Sequence, residues 1–122
     1  MLESNGQQQR LRAALTASHV FGALAPDILA DLAASLEIEI VEGGNLILHE
    51  SDVAESMLIV ISGRLRVSRT NPDGSLRLYN EVSPGETVGE AGMILQQRRF
   101  ADVTALRDST IAVLRRLPFE AL

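Results

Sequence analysis

No cysteine occurs anywhere in these 122 residues, which excludes a disulfide framework, a thiolate metal site and a cysteine nucleophile. No apolar run is long enough to span a bilayer, and Met1 to Gln7 lacks the charged-then-apolar pattern of a secretory signal. A cytoplasmic chain without a transmembrane segment is therefore expected. Positive charge is also scarce. The net charge of −5 leaves no basic footprint for nucleic acid, so direct nucleic-acid binding is not expected. Histidine is limited to His19 and His49, isolated residues that read as structural or solvated rather than as ligands or bases. Ser62 sits in Ile-Ser-Gly, not in the Gly-x-Ser-x-Gly turn of a serine nucleophile. The sequence predicts no catalytic set, no metal and no cofactor.

What is present suits a single domain. Apolar content is 46% and charged content 22%, ordinary for one compact core. Three segments are expected: a helical lead-in over 1–36, a β domain over 37–116, and the start of a helix over 117–122. Gln7 to Ser18 carries Leu11 and Leu15 at helical spacing. Pro26 suits a first helical turn, with Asp27 at its positive end. Ile28, Leu29, Leu32, Ala33 and Leu36 then mark the buried stripe of a second helix. From Glu37 the period turns to alternation. Ile38 and Ile40 read as the buried side of a strand, Glu37 and Glu39 as its wet side.

Further strands are predicted over Asn45–His49, Met57–Ile61, Leu65–Ser68, Ser75–Val82, Val103–Leu106 and Thr110–Leu114. Met57–Ile61 is apolar on both faces and so central. Glu42-Gly43-Gly44, Ser62-Gly63, Asn71-Pro72-Asp73-Gly74, Ser83-Pro84-Gly85-Glu86 and Arg107-Asp108-Ser109 punctuate them as turns. Many short strands with frequent turns point to a β-barrel or jelly roll. Arg115 and Arg116 read as surface charge. Leu117-Pro118-Phe119-Glu120 opens as a helix that the chain does not complete, so a longer polypeptide with a further, output domain is expected.

Chemistry concentrates in residues 83–105, where Gly85, Gly89, Gly92, Glu90, Arg98 and Arg99 share one short connection. A glycine-rich turn brings backbone N–H groups close to an anion, and a short helix opening at Glu90 or Ala91 adds its positive dipole end. Arg99 suits a two-pronged grip on phosphate. Glu90 accepts hydrogen bonds and suits sugar hydroxyls. Phosphate and ribose chemistry side by side suggest a nucleotide.

At these residues the chain resembles the cyclic-nucleotide-binding domain family. Val88-Gly89-Glu90-Ala91-Gly92-Met93 and Arg98-Arg99-Phe100-Ala101-Asp102-Val103 are similar to the two halves of the family's phosphate-binding cassette. Gly44-Asn45-Leu46-Ile47-Leu48-His49-Glu50-Ser51-Asp52 resembles its Gly-x-x-Ile-x-x-Glu-Gly-Asp turn, with Ser51 in place of a glycine. Leu58 to Val67 resembles its hairpin cornered by Ser-Gly. Phe21, Leu24, Leu29 and Leu32 match the helical lead-in, and Phe119-Glu120 the closing helix.

The resemblance implies a mainly β double-stranded β-helix, or jelly-roll barrel, with flanking helices. It implies a ligand site of Gly89, Glu90, Ala91, Gly92, Arg99, Phe100 and Ala101, with Arg99 on the phosphate, Glu90 on the ribose and Gly89, Ala91 and Gly92 supplying backbone amides. Cyclic AMP is the expected ligand and cyclic GMP the alternative. The expected partner is a downstream effector domain in the same polypeptide, with a homodimer also open. Arg10-Leu11-Arg12-Ala13-Ala14-Leu15, Phe21 and Ala105 to Ser109 look like the sensor domains that precede patatin-like phospholipases of the neuropathy-target-esterase type. A transcription regulator is the second expectation for the output.

Within the cassette, three positions depart from the family pattern. Arg98 replaces a proline, Phe100 stands where Ala, Ser or Thr is usual, and Asp102 stands where Thr is common. Asp102 is expected either to repel a phosphate or to pair with Arg98. Phe100 keeps open a second reading, a ligand-free domain that serves in protein interaction or dimerisation.

Overall fold

A computed structural model describes residues 25–89 and 96–115, apart from the side chains of Leu29 and Leu32. The expected helix at Gln7–Ser18, the lead-in residues Phe21 and Leu24, the cassette residues Glu90, Ala91 and Gly92, and the closing helix at 117–122 lie outside the described residues.

The described chain opens with helix α1 (Pro26–Ser35), with proline at its start and Asp27 in its first turn. The pyrrolidine ring presets the helical φ where an N–H would be unpartnered anyway. Ala33 and Leu36 are buried, but Ile28 is 40% exposed. Among the described side chains of the expected stripe, burial therefore holds at Ala33 and Leu36 and fails at Ile28.

Eight strands follow among the described residues: β1 (Glu37–Val41), β2 (Leu46–Leu48), β3 (Ser56–Ser62), β4 (Leu65–Thr70), β5 (Leu76–Val82), β6 (Thr87–Val88), β7 (Asp102–Ala105) and β8 (Ser109–Arg115). They form two antiparallel four-stranded sheets, ordered β1-β8-β3-β6 and β2-β7-β4-β5. This is the jelly-roll arrangement as two open sheets, not a closed barrel. Between the sheets lie Leu58, Val60, Ile111 and Val113 from the first and Leu65, Val67, Val82, Val103 and Ala105 from the second. β3 and β8 also bury their alternate residues Met57, Ile59, Ala112 and Leu114. Both faces of the first sheet's centre are thus covered, as the unbroken apolar run in β3 requires.

Turn chemistry fixes the corners. Gly44, Gly63, Gly74 and Gly85 all have positive φ, the region that costs other residues about 1–2 kcal/mol. Gly63 is needed twice over, because a Cβ there would overlap Ser109. Ser109 Oγ in turn accepts from the Arg64 N–H at 3.1 Å and donates to the Arg107 carbonyl at 2.8 Å, locking two corners together.

The reading of Ile40 as buried fails: it is 76% exposed on β1, the outer strand of its sheet, and it is Val41, on the opposite face, that packs against the core. β6, a two-residue strand inside the cassette, carries too little periodicity to be read from sequence.

Candidate functional site

Arg99 sits on a short antiparallel rung with the chain after β2. Its N–H donates to the Asp52 carbonyl at 2.8 Å and its carbonyl accepts from the Ser51 N–H at 2.8 Å. Ala54 N–H donates to the Gln97 carbonyl at 3.3 Å, and Val53 bridges Arg98. The Ser51 position explains the family's glycine there: its φ is 74°, and the Arg98 guanidinium clasps its carbonyl at 2.9 Å.

The rung sends the Arg99 side chain inward. Nη1 donates to the Gly89 carbonyl at 3.0 Å, and Nη2 to the Ser56 carbonyl at 2.6 Å and its Oγ at 3.3 Å. Arg99 is 9% exposed, and among the described residues no carboxylate forms an ion pair with it. Burial lowers its pKa, and the charge of Asp52 opposes that shift. A guanidinium still stays protonated at neutral pH. The site thus holds a buried cation bonded to neutral oxygens.

Gly89 makes that geometry possible. Its φ is 87°, and a Cβ would overlap Arg99 Nη1. In the described structure its carbonyl serves the arginine.

Beside them lies a cavity of about 300 Å³, within the lower range for small-molecule sites. Leu48, Val67 and Val103 give it an apolar wall, and Asn80, Thr87 and Gln97 add polar groups. Gly89, Arg98, Arg99, Phe100 and Ala101 also line it. Of the expected site residues the structure therefore brings Gly89, Arg99, Phe100 and Ala101 to one cavity. Ala101 is buried in the core between the sheets. Phe100 is 61% exposed, and its ring stands edge-on to Tyr79 with centroids 5.2 Å apart. The Arg77 guanidinium covers the Tyr79 ring at 5.2 Å.

Asp102 does not pair with Arg98. Its Oδ1 accepts the Glu50 N–H at 2.7 Å, and Arg98 bonds Ser51 instead. Alternation is the reason: Ala101 and Val103 point into the core, so Asp102 points to the other face. Sequence reasoning missed Ser56 and Asp52 as the partners that hold Arg99, and Asn80 and Thr87 as cavity residues. The Glu50-Ser51-Asp52 turn was the signal for the rung. Nothing in the chain singled out Ser56.

Comparison with known proteins gives a consistent result. A model of the cyclic nucleotide-binding domain matches residues 38–122. Lysophospholipase NTE1 of Mycosarcoma maydis is 34% identical over 99 residues, which is 81% of this chain but 5% of that protein. The regulatory domain of Toxoplasma gondii PKA, crystallised with cAMP, superposes with a TM-score of 0.89 at 29% identity, covering 95% of this chain and 44% of that one. The regulatory subunit of a cAMP-independent protein kinase A from Trypanosoma brucei has a TM-score of 0.82 at 27% identity, with 95% and 44% covered. Among the described residues no helix is long and apolar enough to cross a membrane.

Proposed function

Because this chain belongs to the cyclic nucleotide-binding domain family, we propose that it is the cyclic AMP sensor of a longer cytoplasmic protein. The observation that carries the reading is Arg99, a buried guanidinium on a cavity wall whose described partners are all neutral. A cyclic phosphate supplies the missing negative charge, and a charge-assisted contact is stronger than the neutral ones it supplements. Arg99 Nε carries no hydrogen bond among the described residues and is the donor that turns to the ligand. Glu90, Ala91 and Gly92 are assigned by the cassette register to the ribose hydroxyl and the phosphate. The apolar wall of Leu48, Val67 and Val103 accepts the flat base.

Binding regulates by differential affinity. Ligand drawn to Arg99 favours whichever arrangement of the neighbouring chain offers the fuller phosphate site, and shifts the population toward it. The output is assigned to a lysophospholipase domain of the patatin-like type in the same polypeptide. The likeness to NTE1 supports this, although the chain spans only 5% of that relative's length.

Titration calorimetry with cyclic AMP and cyclic GMP tests the sensor. Heat that saturates with cyclic AMP, and is lost in Arg99→Ala, supports it. Absence of heat and of any thermal shift at millimolar nucleotide overturns it. That outcome would favour the second reading, an interaction module without ligand. Phe100 is the observation that favours this alternative, since a phenyl ring replaces a small or hydroxylated side chain.

A further inference from the structure

Among the described residues, two strand edges of this fold are unpaired and complementary. These are β1 and β5, outer strands of different sheets. Both expose apolar side chains: Ile40 at 76% on β1, Leu76 at 49% and Leu78 at 61% on β5. Exposed apolar edges are templates for another strand.

Hydrogen-bond phase decides which backbone groups face outward. Val60 bonds Glu86 and Gly85, away from β8. Alternation then turns Ile59 toward Ala112, and Ile111 and Val113 toward Glu39 and Glu37. The N–H and C=O groups of Ile38 and Ile40 therefore point to the free edge. On β5, Ser75 accepts from Asn71, so Arg77 faces Arg69 and the backbone groups of Leu76 and Leu78 point to the free edge.

We propose that β1 of one copy pairs antiparallel with β5 of a second copy, Ile38 opposite Leu78, Glu39 opposite Arg77 and Ile40 opposite Leu76. In this register the two leucine–isoleucine pairs are the hydrogen-bonded ones and share one face. Glu39 and Arg77 form the intervening pair, whose side chains approach most closely. Neither residue has an ion-pair partner among the described residues, where the pairs engage Arg64, Arg69 and Arg115.

Like does not pair with like. Matching Leu76 and Leu78 of two β5 edges sets Arg77 against Arg77, and matching Ile38 and Ile40 of two β1 edges sets Glu39 against Glu39. Complementarity between two different edges of the same chain makes a second copy, joined head to tail, the fitting partner. Tyr79 is skipped in the β4–β5 register, where Val67 faces Asn80 and Ser68 faces Leu78. This bulge stops the pairing beyond Leu78 and keeps the contact weak.

Sedimentation velocity on the 122-residue protein tests the inference without nucleotide, so a failed sensor reading leaves it standing. Wild type is expected to self-associate past the dimer as concentration rises. Ile40→Lys and Leu78→Lys are each expected to stay monomeric, with unchanged thermal unfolding because both side chains are exposed. Their equimolar mixture is expected to form a dimer and nothing larger, since each chain keeps one intact edge. Glu39→Arg and Arg77→Glu should each weaken association about fivefold and restore it when mixed. The inference is overturned if wild type is monomeric at about 1 mM, if either lysine variant self-associates, or if their mixture stays monomeric.

Discussion

Arg99 Nη1 donates to the Gly89 carbonyl at 3.0 Å, and a Cβ on residue 89 would overlap that same nitrogen. The smallest residue and the longest cation of the cassette therefore occupy one another's space. Gly89→Ala is expected to fail on two counts. A φ of 87° costs an alanine about 1–2 kcal/mol, and the methyl group displaces the guanidinium from its carbonyl. Urea unfolding should show the first loss. Calorimetry should show cyclic AMP affinity falling further than stability, because the displaced group is the one proposed to hold the phosphate.

Removing the guanidinium itself separates charge from shape. Arg99→Ala leaves the Ser56 carbonyl and Oγ without their described donor, and it deletes the charge proposed to meet the phosphate. A hydrogen bond to a charged group is worth about 1.5–3 kcal/mol, so cyclic AMP affinity should fall at least about tenfold. Arg99→Lys keeps the charge but not the fork that reaches Gly89 and Ser56 together. It is expected to recover only part of the loss in the same titration. Equal affinities for lysine and wild type would contradict the two-pronged geometry.

Much of this arrangement was legible in the sequence, and the failures share a cause. Glycine and proline punctuation located the corners at Gly44, Gly63, Gly74 and Gly85, since a positive φ is a local demand that composition reveals. The apolar run at Met57–Ile61 located β3 as a central strand, and the spans read for β4, β7 and β8 fall close to the observed ones. Periodicity misjudged Ile28 and Ile40, because a periodic pattern shows which side is apolar but not what covers it. The partnership of Arg99 with Ser56 spans 43 residues. No local spacing announces a contact set by the meeting of two separate segments. Asp102 misled for a related reason: the cassette gave its register, while its carboxylate was claimed by the Glu50 turn across the fold.

Ser51 offers a stabilising substitution. Its φ of 74° lies in the left-handed region, where a side chain costs about 1–2 kcal/mol. Glycine removes that strain but adds freedom to the unfolded chain, which returns part of the gain. Ser51→Gly is expected to stabilise the fold by about 0.5–1 kcal/mol, read as a higher urea midpoint at unchanged slope. Nucleotide affinity should hold, since the Arg98 contact uses the residue's carbonyl.

Acid should weaken the β4–β5 hairpin through Asp73. Its Oδ1 accepts both the Ser75 N–H at 2.9 Å and the Ser75 hydroxyl at 2.6 Å, which holds the carboxyl below the usual carboxylate range. A carboxylate whose pKa is lowered by folding contributes stability above its unfolded pKa and loses it as pH falls through the folded value. The Arg115 guanidinium lowers Glu37 in the same sense. Thermal midpoints should therefore fall between about pH 5 and pH 3. Asp73→Asn should flatten that fall, and a wild-type slope in the variant would remove Asp73 from the explanation.

Phe100 lines the cavity and tests how a proposed ligand would meet it. The ring is 61% exposed and its described aromatic contact is the edge-on one with Tyr79, a pair worth about 0.5–1.5 kcal/mol. Phe100→Thr gives up that contact and places a hydroxyl next to Arg99, where it can donate to a phosphate or accept from a guanine amino group. Stability is expected to drop by about 1 kcal/mol while affinity for both nucleotides rises. Cyclic GMP should gain more than cyclic AMP, because guanine carries an amino donor at C2 where adenine has none. Parallel titrations of wild type and variant with the two nucleotides read the ratio directly. An unchanged ratio with rising affinity would mean the hydroxyl serves the phosphate alone, and falling affinity would mean that the phenyl ring itself contributes to holding the base.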